Sequence, residues 1–196
     1  MRAVVLASGG LDSTLLALLA KDEGYDVYPL FVDFGQLAAS TELHHCEQAM
    51  GRHGLRQPDI ADVRGFGTLI PSGLTRDNLH IVDDAFTPGR NTMFLLCAAS
   101  FAAKVEANVI FIGLLDEQFH LFSDQTKEFI KRAQSLLELS VDKPLEVRAP
   151  LMAFSKAEVI AKAASRGVGP TYSCHTGAEE PCGECIACLE FNVGGS

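Results

Sequence analysis

Short apolar runs alternate along the chain with longer stretches in which apolar residues recur at helical spacing. The short runs predict buried strands, because a strand in a parallel sheet is covered on both faces. The longer stretches predict helices that pack one side against a sheet. The predicted strands are 2–7, 26–35, 59–63, 108–113 and 145–150, and the predicted helices are 13–22, 40–54, 91–107, 123–140 and 155–167. This alternation predicts an α/β fold: a parallel five-stranded sheet with helices on both faces.

Polar caps and glycines indicate where these helices begin and end. The expected N-caps are Ser40 or Thr41, Asn91 and Ser155, the last in a capping box with Glu158, and the expected stops are Gly24, Gly54 and Gly167. Residues 64–90 are rich in Gly, Pro and Asp and are predicted to form a long loop. Ligands of such sheets bind beyond the carboxyl ends of the strands, where the strand order reverses.

Composition restricts the classes of function. The chain has 196 residues and a net charge of −9, which makes it a poor general binder of nucleic-acid phosphates. No apolar run approaches the roughly 18 residues of a membrane span, and the N-terminal run lacks a signal-peptide cleavage site. We therefore expect a cytoplasmic protein with a small-molecule substrate, no nucleic-acid partner and no membrane partner.

Four of the six cysteines lie within fifteen residues near the C-terminus. Cys174, Cys182, Cys185 and Cys188 have the spacing C-x7-C-x2-C-x2-C, and Gly183 allows a tight turn between them. Four thiolates at this spacing suit a tetrahedral Zn²⁺ ion with a structural role, because no ligand position is left open for chemistry. Free or oxidised cysteines and an iron–sulfur cluster are the alternatives.

The stretch SGGLDST, residues 8–14, stands between the first strand and the first helix. Such a turn brings backbone N–H groups and the positive end of a helix to one point, which suits an anion. The hydroxyls of Ser8, Ser13 and Thr14 can donate to phosphate, and Asp12 suggests a bridging Mg²⁺. A glycine turn with Asp12 as a helix cap is the structural alternative.

The same stretch resembles the pyrophosphate-binding loop of the PP-loop ATP pyrophosphatases. FVDFGQ (31–36), PGRNTMF (88–94), PLMAFSKAEVI (150–160) and the terminal cysteines follow it in the order found in the 7-cyano-7-deazaguanine synthase family. The resemblance covers residues 4–188. It implies a Rossmann-like fold of the adenine nucleotide alpha hydrolase type, in a single domain, 1–196, with a zinc-binding segment, 170–196.

The family resemblance also implies a reaction and its cofactors. ATP would adenylate the carboxylate of a deazapurine acid, ammonia would displace AMP to give an amide, and a second ATP would convert the amide to a nitrile. The implied cofactors are ATP, Mg²⁺ and one structural Zn²⁺ per chain. The implied partners are the deazapurine acid, ammonia and ATP, and members of the family commonly form homodimers.

Two sets of residues follow from the resemblance. The expected catalytic residues are Asp12, Ser13, Arg90 and Lys156, and the expected nucleotide-binding residues are Leu6, Ala7, Ser8, Gly9, Gly10, Leu11, Asp12, Ser13, Thr14, Phe31, Val32, Asp33 and Gly113. Structural alternatives exist for several of them: a loop arginine for Arg90, a solvated lysine for Lys156, and plain core positions for Phe31 and Val32. Asp116 and Glu117 follow the fourth strand at the ligand end, and His44 and His45 are interpreted as polar contacts.

One segment departs from the family pattern. Where the family has Gly-Tyr-Pro-Asp-Cys-Arg, this chain has LFSDQT, 121–126. Asp124 matches, but Gln125 and Thr126 replace the cysteine and the arginine, which removes a two-donor clamp for a carboxylate. The open alternatives are a divergent enzyme that adenylates another carboxylate or a macromolecule, and a nucleotide-binding protein without turnover. A tRNA-modifying enzyme is disfavoured by the negative charge.

Overall fold

The computed structural model describes residues 1–116 and 122–193, and it confirms the predicted α/β class. Five parallel strands form one sheet in the order β3-β2-β1-β4-β5. The strands are β1 (Arg2–Leu6), β2 (Asp26–Asp33), β3 (Asp59–Asp62), β4 (Val109–Phe111) and β5 (Glu146–Arg148). The order reverses between β1 and β4, so the predicted ligand crevice lies beyond the carboxyl ends of these two strands.

Helices cover both faces of the sheet. They are α1 (Leu11–Asp22), α2 (Ala39–Arg52), α3 (Arg64–Leu69), α4 (Arg90–Lys104), α5 (Lys127–Val141), α6 (Lys156–Ser165) and α7 (Ile186–Val193). Apolar residues of α1, α2 and α6 form one buried cluster with the sheet, and those of α4 and α5 form another. None of the helices in the described ranges combines the length and the hydropathy needed to cross a bilayer.

The predicted helix stops and the last capping box are confirmed, but two N-cap predictions are wrong. Helix α4 begins at Arg90, and Gly89, at φ 77°, is its N-cap. Asn91 therefore lies inside the helix, and its Nδ2 donates to the Asp124 carbonyl at 3.1 Å. Helix α2 is preceded by Ala38, and the Thr41 hydroxyl donates instead to the Gly177 carbonyl at 2.9 Å.

Two helices were absent from the sequence-based prediction. Helix α3 lies at the start of the segment that was predicted as the loop 64–90, and α7 carries the last of the clustered cysteines. The helix predicted from residue 123 begins as a 3-10 turn, Ser123–Gln125, before α5 starts at Lys127 with Thr126 as its cap. Both missed helices are short, six and eight residues, so they offer little periodicity for a sequence pattern to reveal.

Candidate active site

A cavity of about 290 Å³ opens at the predicted crevice. It lies beyond the carboxyl ends of β1, β2 and β4, between the first turns of α1, α2 and α4. Of the residues expected from the sequence, it brings together Leu6, Ala7, Ser8, Asp12, Ser13, Phe31, Val32, Arg90 and Gly113. Phe31 is also a core residue, only 1% exposed, so its structural and nucleotide-binding interpretations are compatible.

The segment 8–14 forms a turn whose polar groups bond to one another. The Ser13 hydroxyl accepts from the Ser8 amide at 3.1 Å, lies 3.2 Å from the Ser8 hydroxyl, and donates to the Gly10 carbonyl at 3.2 Å. Thr14 is fully buried, and its hydroxyl also donates to the Gly10 carbonyl, at 2.8 Å. The Thr14 hydroxyl therefore stabilises the turn and does not line the cavity. The sequence had predicted that it donates to phosphate.

Gly9 is the point at which this turn packs against α2. Its φ is +80°, and a Cβ there would lie 2.5 Å from the Cys46 amide nitrogen and 2.6 Å from the Glu42 carbonyl oxygen. Only glycine fits both the conformation and the space. Cys46 itself is buried, and burial raises the pKa of its thiol to about 12, so this cysteine is a packing residue and not a nucleophile.

Lys156 joins the turn from the start of α6. Its ammonium lies 2.9 and 3.0 Å from the two carboxylate oxygens of Asp12. It is also 3.3 Å from Glu190 and 4.8 Å above the ring of Phe191, both on α7. With 16% of its side chain exposed, Lys156 is not the solvated lysine of the structural alternative. It neutralises Asp12 in the free protein.

Arg90, at the first position of α4, carries a buried charge in the cavity wall. Its guanidinium lies between the rings of Phe34 and Phe94, at 5.9 and 6.0 Å. Burial lowers its pKa, which the carboxylates of Asp124 and Glu42 partly oppose. Its buried Nε has no hydrogen-bond partner within the described residues. A buried guanidinium with an unused donor is suited to an anionic ligand.

Gln36 and Glu42 also line the cavity and were not singled out from the sequence. The Gln36 amide accepts from the Phe34 amide at 3.0 Å and donates to a carboxylate oxygen of Glu42 at 2.9 Å. Burial raises the pKa of the Glu42 carboxyl. The sequence offered a weak signal for this pair: Gln36 ends the FVDFGQ motif, whereas Glu42 is an ordinary acidic residue in the first turn of a helix.

His175 is the third polar cavity residue that the sequence analysis missed, after Gln36 and Glu42. Its Nδ1 is buried and has no hydrogen-bond partner in residues 1–116 and 122–193. Burial, with a smaller contribution from Arg90, lowers the pKa of the imidazole to about 4, so the ring is neutral at pH 7. The signal available was its place inside the cysteine cluster, directly after Cys174.

The four clustered cysteines meet as predicted. Their Sγ atoms all lie within 4.8 Å of one another, and a tetrahedral ion with Zn–S bonds of about 2.3 Å separates its sulfurs by roughly 3.8 Å. Three backbone N–H groups donate to these sulfurs: His175 to Cys185 at 3.5 Å, Cys182 to Cys174 at 3.3 Å, and Cys185 to Cys182 at 3.4 Å. Donors directed at sulfur stabilise thiolates, so the donor set fits a metal ion.

The cysteine segment packs directly on the turn 8–14. The Tyr172 amide donates to the Gly9 carbonyl at 3.3 Å, and the Tyr172 ring stacks on His45 at 5.2 Å. His45 also contacts the Thr41 carbonyl, at 2.8 Å, and His44 contacts Gln48. These two histidines make the polar contacts that the sequence analysis assigned to them.

Some expected positions do not line the cavity: Gly9, Gly10, Leu11, Thr14 and Asp33. Asp33 accepts from the Gly35 amide at 3.0 Å and shapes the turn after β2. Gln125 lines the cavity, while Thr126, which stands where the family has arginine, caps α5 by accepting from the Phe129 amide. Glu117 and Leu121 lie outside the described residues.

Comparisons with known proteins agree with this geometry. A protein-family model described as queuosine biosynthesis protein QueC matches residues 2–194. A relative from Acetivibrio thermocellus is 36% identical over 96% of this chain and 90% of its own, and one from Campylobacter hominis is 32% identical over 96% and 91%. Both relatives are named 7-cyano-7-deazaguanine synthase.

Two solved structures share the fold. One is a 4-thiouridine synthetase in complex with RNA and bound ATP, with a TM-score of 0.59 and 18% identity over 98% of this chain and 49% of that one. The other is a predicted subunit of a tRNA methyltransferase from Methanocaldococcus jannaschii, with a TM-score of 0.56 and 19% identity over 84% and 76%. At these identities the similarity establishes the fold alone.

Proposed function

The chain belongs to the family of queuosine biosynthesis protein QueC, and on this premise we propose that it is an ATP-dependent 7-cyano-7-deazaguanine synthase. Its substrates would be 7-carboxy-7-deazaguanine, ammonia and ATP. The observation that carries the proposal is the cavity itself, in which the turn 8–14 and the buried cation Arg90 face one space. The names of the two relatives support the choice of substrate.

The proposed reaction has two activation steps. An oxygen of the substrate carboxylate attacks the α-phosphorus of ATP, and pyrophosphate leaves. Ammonia then adds to the acyl carbon and displaces AMP, which gives the amide. The amide oxygen attacks the α-phosphorus of a second ATP, and pyrophosphate leaves. Loss of the two nitrogen-bound protons and of AMP then leaves the nitrile. The first activation brings an anionic carboxylate against an anionic phosphate, and the second brings a neutral amide oxygen against one. The main task of the protein is therefore positioning and charge stabilisation.

The described residues suit these tasks. The first turn of α1 and the Ser8 hydroxyl can receive the pyrophosphate, because helix N-termini present free N–H groups. The strand ends at Leu6, Phe31 and Gly113 can hold the adenosine. The unused donor of Arg90 can bind the substrate carboxylate or the α-phosphate, which reduces the repulsion between them.

Metal ions complete the proposal. Asp12 would hold Mg²⁺, which supplies charge neutralisation at the phosphates, and in the free protein its carboxylate pairs with Lys156 at 2.9 Å. Cys174, Cys182, Cys185 and Cys188 would hold one structural Zn²⁺. The whole chain would form a single domain with a metal-binding segment, 170–196. We expect the reaction to take place in the cytoplasm, where ATP is available, and we expect a homodimer from the family.

The test is a reaction of the zinc-loaded protein with ATP, Mg²⁺, ammonium and 7-carboxy-7-deazaguanine. Mass spectrometry should detect the amide and the nitrile, with AMP and pyrophosphate released in parallel. Asp12→Asn and Ser13→Ala should abolish AMP formation, while circular dichroism at the assay temperature should show that both variants remain folded. A protein that binds both zinc and ATP but leaves the base unchanged would reject this function.

A second candidate is an enzyme that adenylates a different carboxylate. The observation in its favour is Thr126, which caps α5 at the position where the family has an arginine. Pyrophosphate release stimulated by another acid, and not by 7-carboxy-7-deazaguanine, would establish this alternative.

A further inference from the structure

The cavity contains a carboxylate to which the proposed phosphate chemistry gives no role. Glu42 lies in the first turn of α2 and faces the cavity. Within the described residues, its carboxylate accepts one hydrogen bond, from the Gln36 side-chain amide at 2.9 Å. A carboxylate can accept about four hydrogen bonds. Most of the acceptor capacity of Glu42 is therefore directed at the cavity.

Gln36 fixes the orientation of this carboxylate. Its Oε1 accepts from the Phe34 amide at 3.0 Å, and its Nε2 donates to the Val32 carbonyl at 3.3 Å as well as to Glu42. The amide group is therefore anchored to the carboxyl end of β2 by two backbone contacts. A group held in this way is preorganised for recognition.

Arg90 supplies the complementary charge from the opposite face of the sheet. Helix α2 packs in one core cluster and α4 in the other, so the two side chains reach the cavity from different layers. They attract each other electrostatically, but residues 1–116 and 122–193 show no direct ion pair between them. The space between them presents hydrogen-bond acceptors on one side and donors on the other.

The substrate of the proposed function has the matching polarity. Its pyrimidine ring carries an N–H beside an exocyclic amine, and two adjacent N–H donors match the two oxygens of a carboxylate. Its carboxylate, at the other end, matches a guanidinium. We propose that Glu42, oriented by Gln36, recognises the aminopyrimidinone edge of the base while Arg90 faces its anionic end. This inference rests on the proposed function and adds the residue that selects the base.

The inference predicts strong discrimination against a base without the amine. A site built to accept hydrogen bonds rejects an analogue that lacks the donor, because its own polar group is then left desolvated and unpaired. The probes are 7-carboxy-7-deazaguanine and its 2-deamino counterpart, 7-carboxy-7-deazahypoxanthine. Binding is measured by calorimetry, with Mg²⁺ and an ATP analogue that is blocked between the α and β phosphates.

Three proteins are compared: the wild type, Glu42→Gln, and Glu47→Gln as a matched control on the exposed side of the same helix. Glu42→Gln should weaken binding of the amino base by about ten- to a hundredfold, the effect of losing a charged hydrogen bond. Its affinity for the deamino base, which keeps only the ring N–H as a donor to the carboxylate, should fall by a smaller factor. Glu47→Gln should leave both affinities within about threefold of the wild type. Affinity for the ATP analogue should be equal in all three.

Two results would overturn the inference. One is equal binding of the amino base by the wild type and Glu42→Gln. The other is a parallel loss of both bases and of the nucleotide, which would assign Glu42 to structure or to the magnesium ion. Turnover separates this inference from the proposed function. A wild type that binds the amino base through Glu42 without converting it supports the inference and rejects the function, whereas a wild type that binds neither base rejects both.

Discussion

The two sides of the cavity reach their geometry in different ways. On the side of the turn 8–14, the residues are consecutive, and the hydroxyls of Ser8, Ser13 and Thr14 bond to groups within the turn. On the acceptor side, Glu42, Arg90 and His175 come from three distant parts of the chain. Two of these three, Arg90 and His175, keep a buried polar atom without a partner in the described structure. The hydroxyls of the turn therefore have hydrogen-bond partners without a ligand. In the wall formed by Glu42, Arg90 and His175, here called the acceptor wall, two buried polar atoms have none within the described residues.

Because of this difference, we expect substitutions on the two sides to affect stability and ligand binding differently. Changes in the turn should lower the free energy of unfolding and weaken nucleotide binding together, because the turn is part of the packing between α1 and α2. Changes in the acceptor wall should weaken ligand binding and leave the fold intact or even stabilised, because desolvated polar groups oppose folding.

Loss of the metal site should have the largest effect on stability. It should disturb both sides of the cavity. The segment that carries the cysteines contacts the turn through Tyr172 and supplies His175 to the wall. Structural zinc contributes about 10–16 kcal/mol in zinc-finger peptides, comparable with the whole stability of a domain. Cys185→Ser should therefore lose the metal, by elemental analysis, and unfold at a much lower temperature.

Cys97→Ser is the matched control, because Cys97 is half-buried on α4 and lies outside the cluster. It should retain about one zinc per chain and a melting temperature near that of the wild type. Full stability of Cys185→Ser without metal would contradict a structural role for the ion.

Gly9→Ala should have the next largest effect on stability, and it should act on the side of the turn 8–14. The positive φ alone costs on the order of 1–3 kcal/mol, and the overlap with backbone atoms of α2 at 2.5 and 2.6 Å adds to that cost. We expect a lower melting temperature and loss of ATP binding, measured by calorimetry.

Two glycines separate the two causes. Gly24 has a φ of +85° with no atom near its missing Cβ, so Gly24→Ala reports the backbone strain alone. Gly10 has a negative φ and a nearest contact of 3.3 Å, to the Ser173 hydroxyl, so Gly10→Ala should fold with little loss. A Gly9→Ala protein as stable as Gly24→Ala would show that the close packing on α2 is unimportant.

The same contrast explains what the sequence could predict. The individual strands, the turn 8–14 and the cysteine cluster each depend on residues close together in the chain, and each was predicted from the sequence. Contacts between distant segments were not. Lys156 and Asp12 are 144 positions apart, and the sequence indicated only that a lysine at a helix N-terminus is electrostatically unfavourable. Its partner became visible in the fold.

The errors have equally specific causes. Asn91 has the side chain of an N-cap, but Gly89 takes a left-handed conformation and starts α4 earlier, which leaves Asn91 to contact the Asp124 carbonyl. Glu42 has the position of an ordinary first-turn acid on α2. Only the end of β2, which places Gln36 beside it, distinguishes it from a surface carboxylate.

Lys156→Met should have an intermediate effect and tests whether the turn is as self-sufficient as its hydrogen bonds indicate. The change leaves the Asp12 and Glu190 carboxylates without their shared cation. We expect a loss of about 1–3 kcal/mol of stability at pH 7 in denaturant titrations. Lys162→Met, on the same helix, is the control. Equal stability of the two variants would mean that Asp12 needs no cation in the free protein.

Glu42→Gln should have the smallest effect on stability, and in the opposite direction. Burial raises the pKa of the Glu42 carboxyl above its ordinary 4.5, so the folded protein binds this proton more tightly than the unfolded chain does. That contribution to stability is present below pH 4.5 and is lost as the pH rises through the folded pKa. A neutral glutamine avoids the loss.

At pH 7 the variant should melt no lower than the wild type and up to a few degrees higher, since about 1 kcal/mol corresponds to about 2–4 °C in a chain of this length. The difference should shrink toward pH 4.5, and Glu47→Gln should show no such pH dependence. A variant that melts well below the wild type at pH 7 would place Glu42 among the groups that hold the fold together, and would end the distinction between the two sides of the cavity.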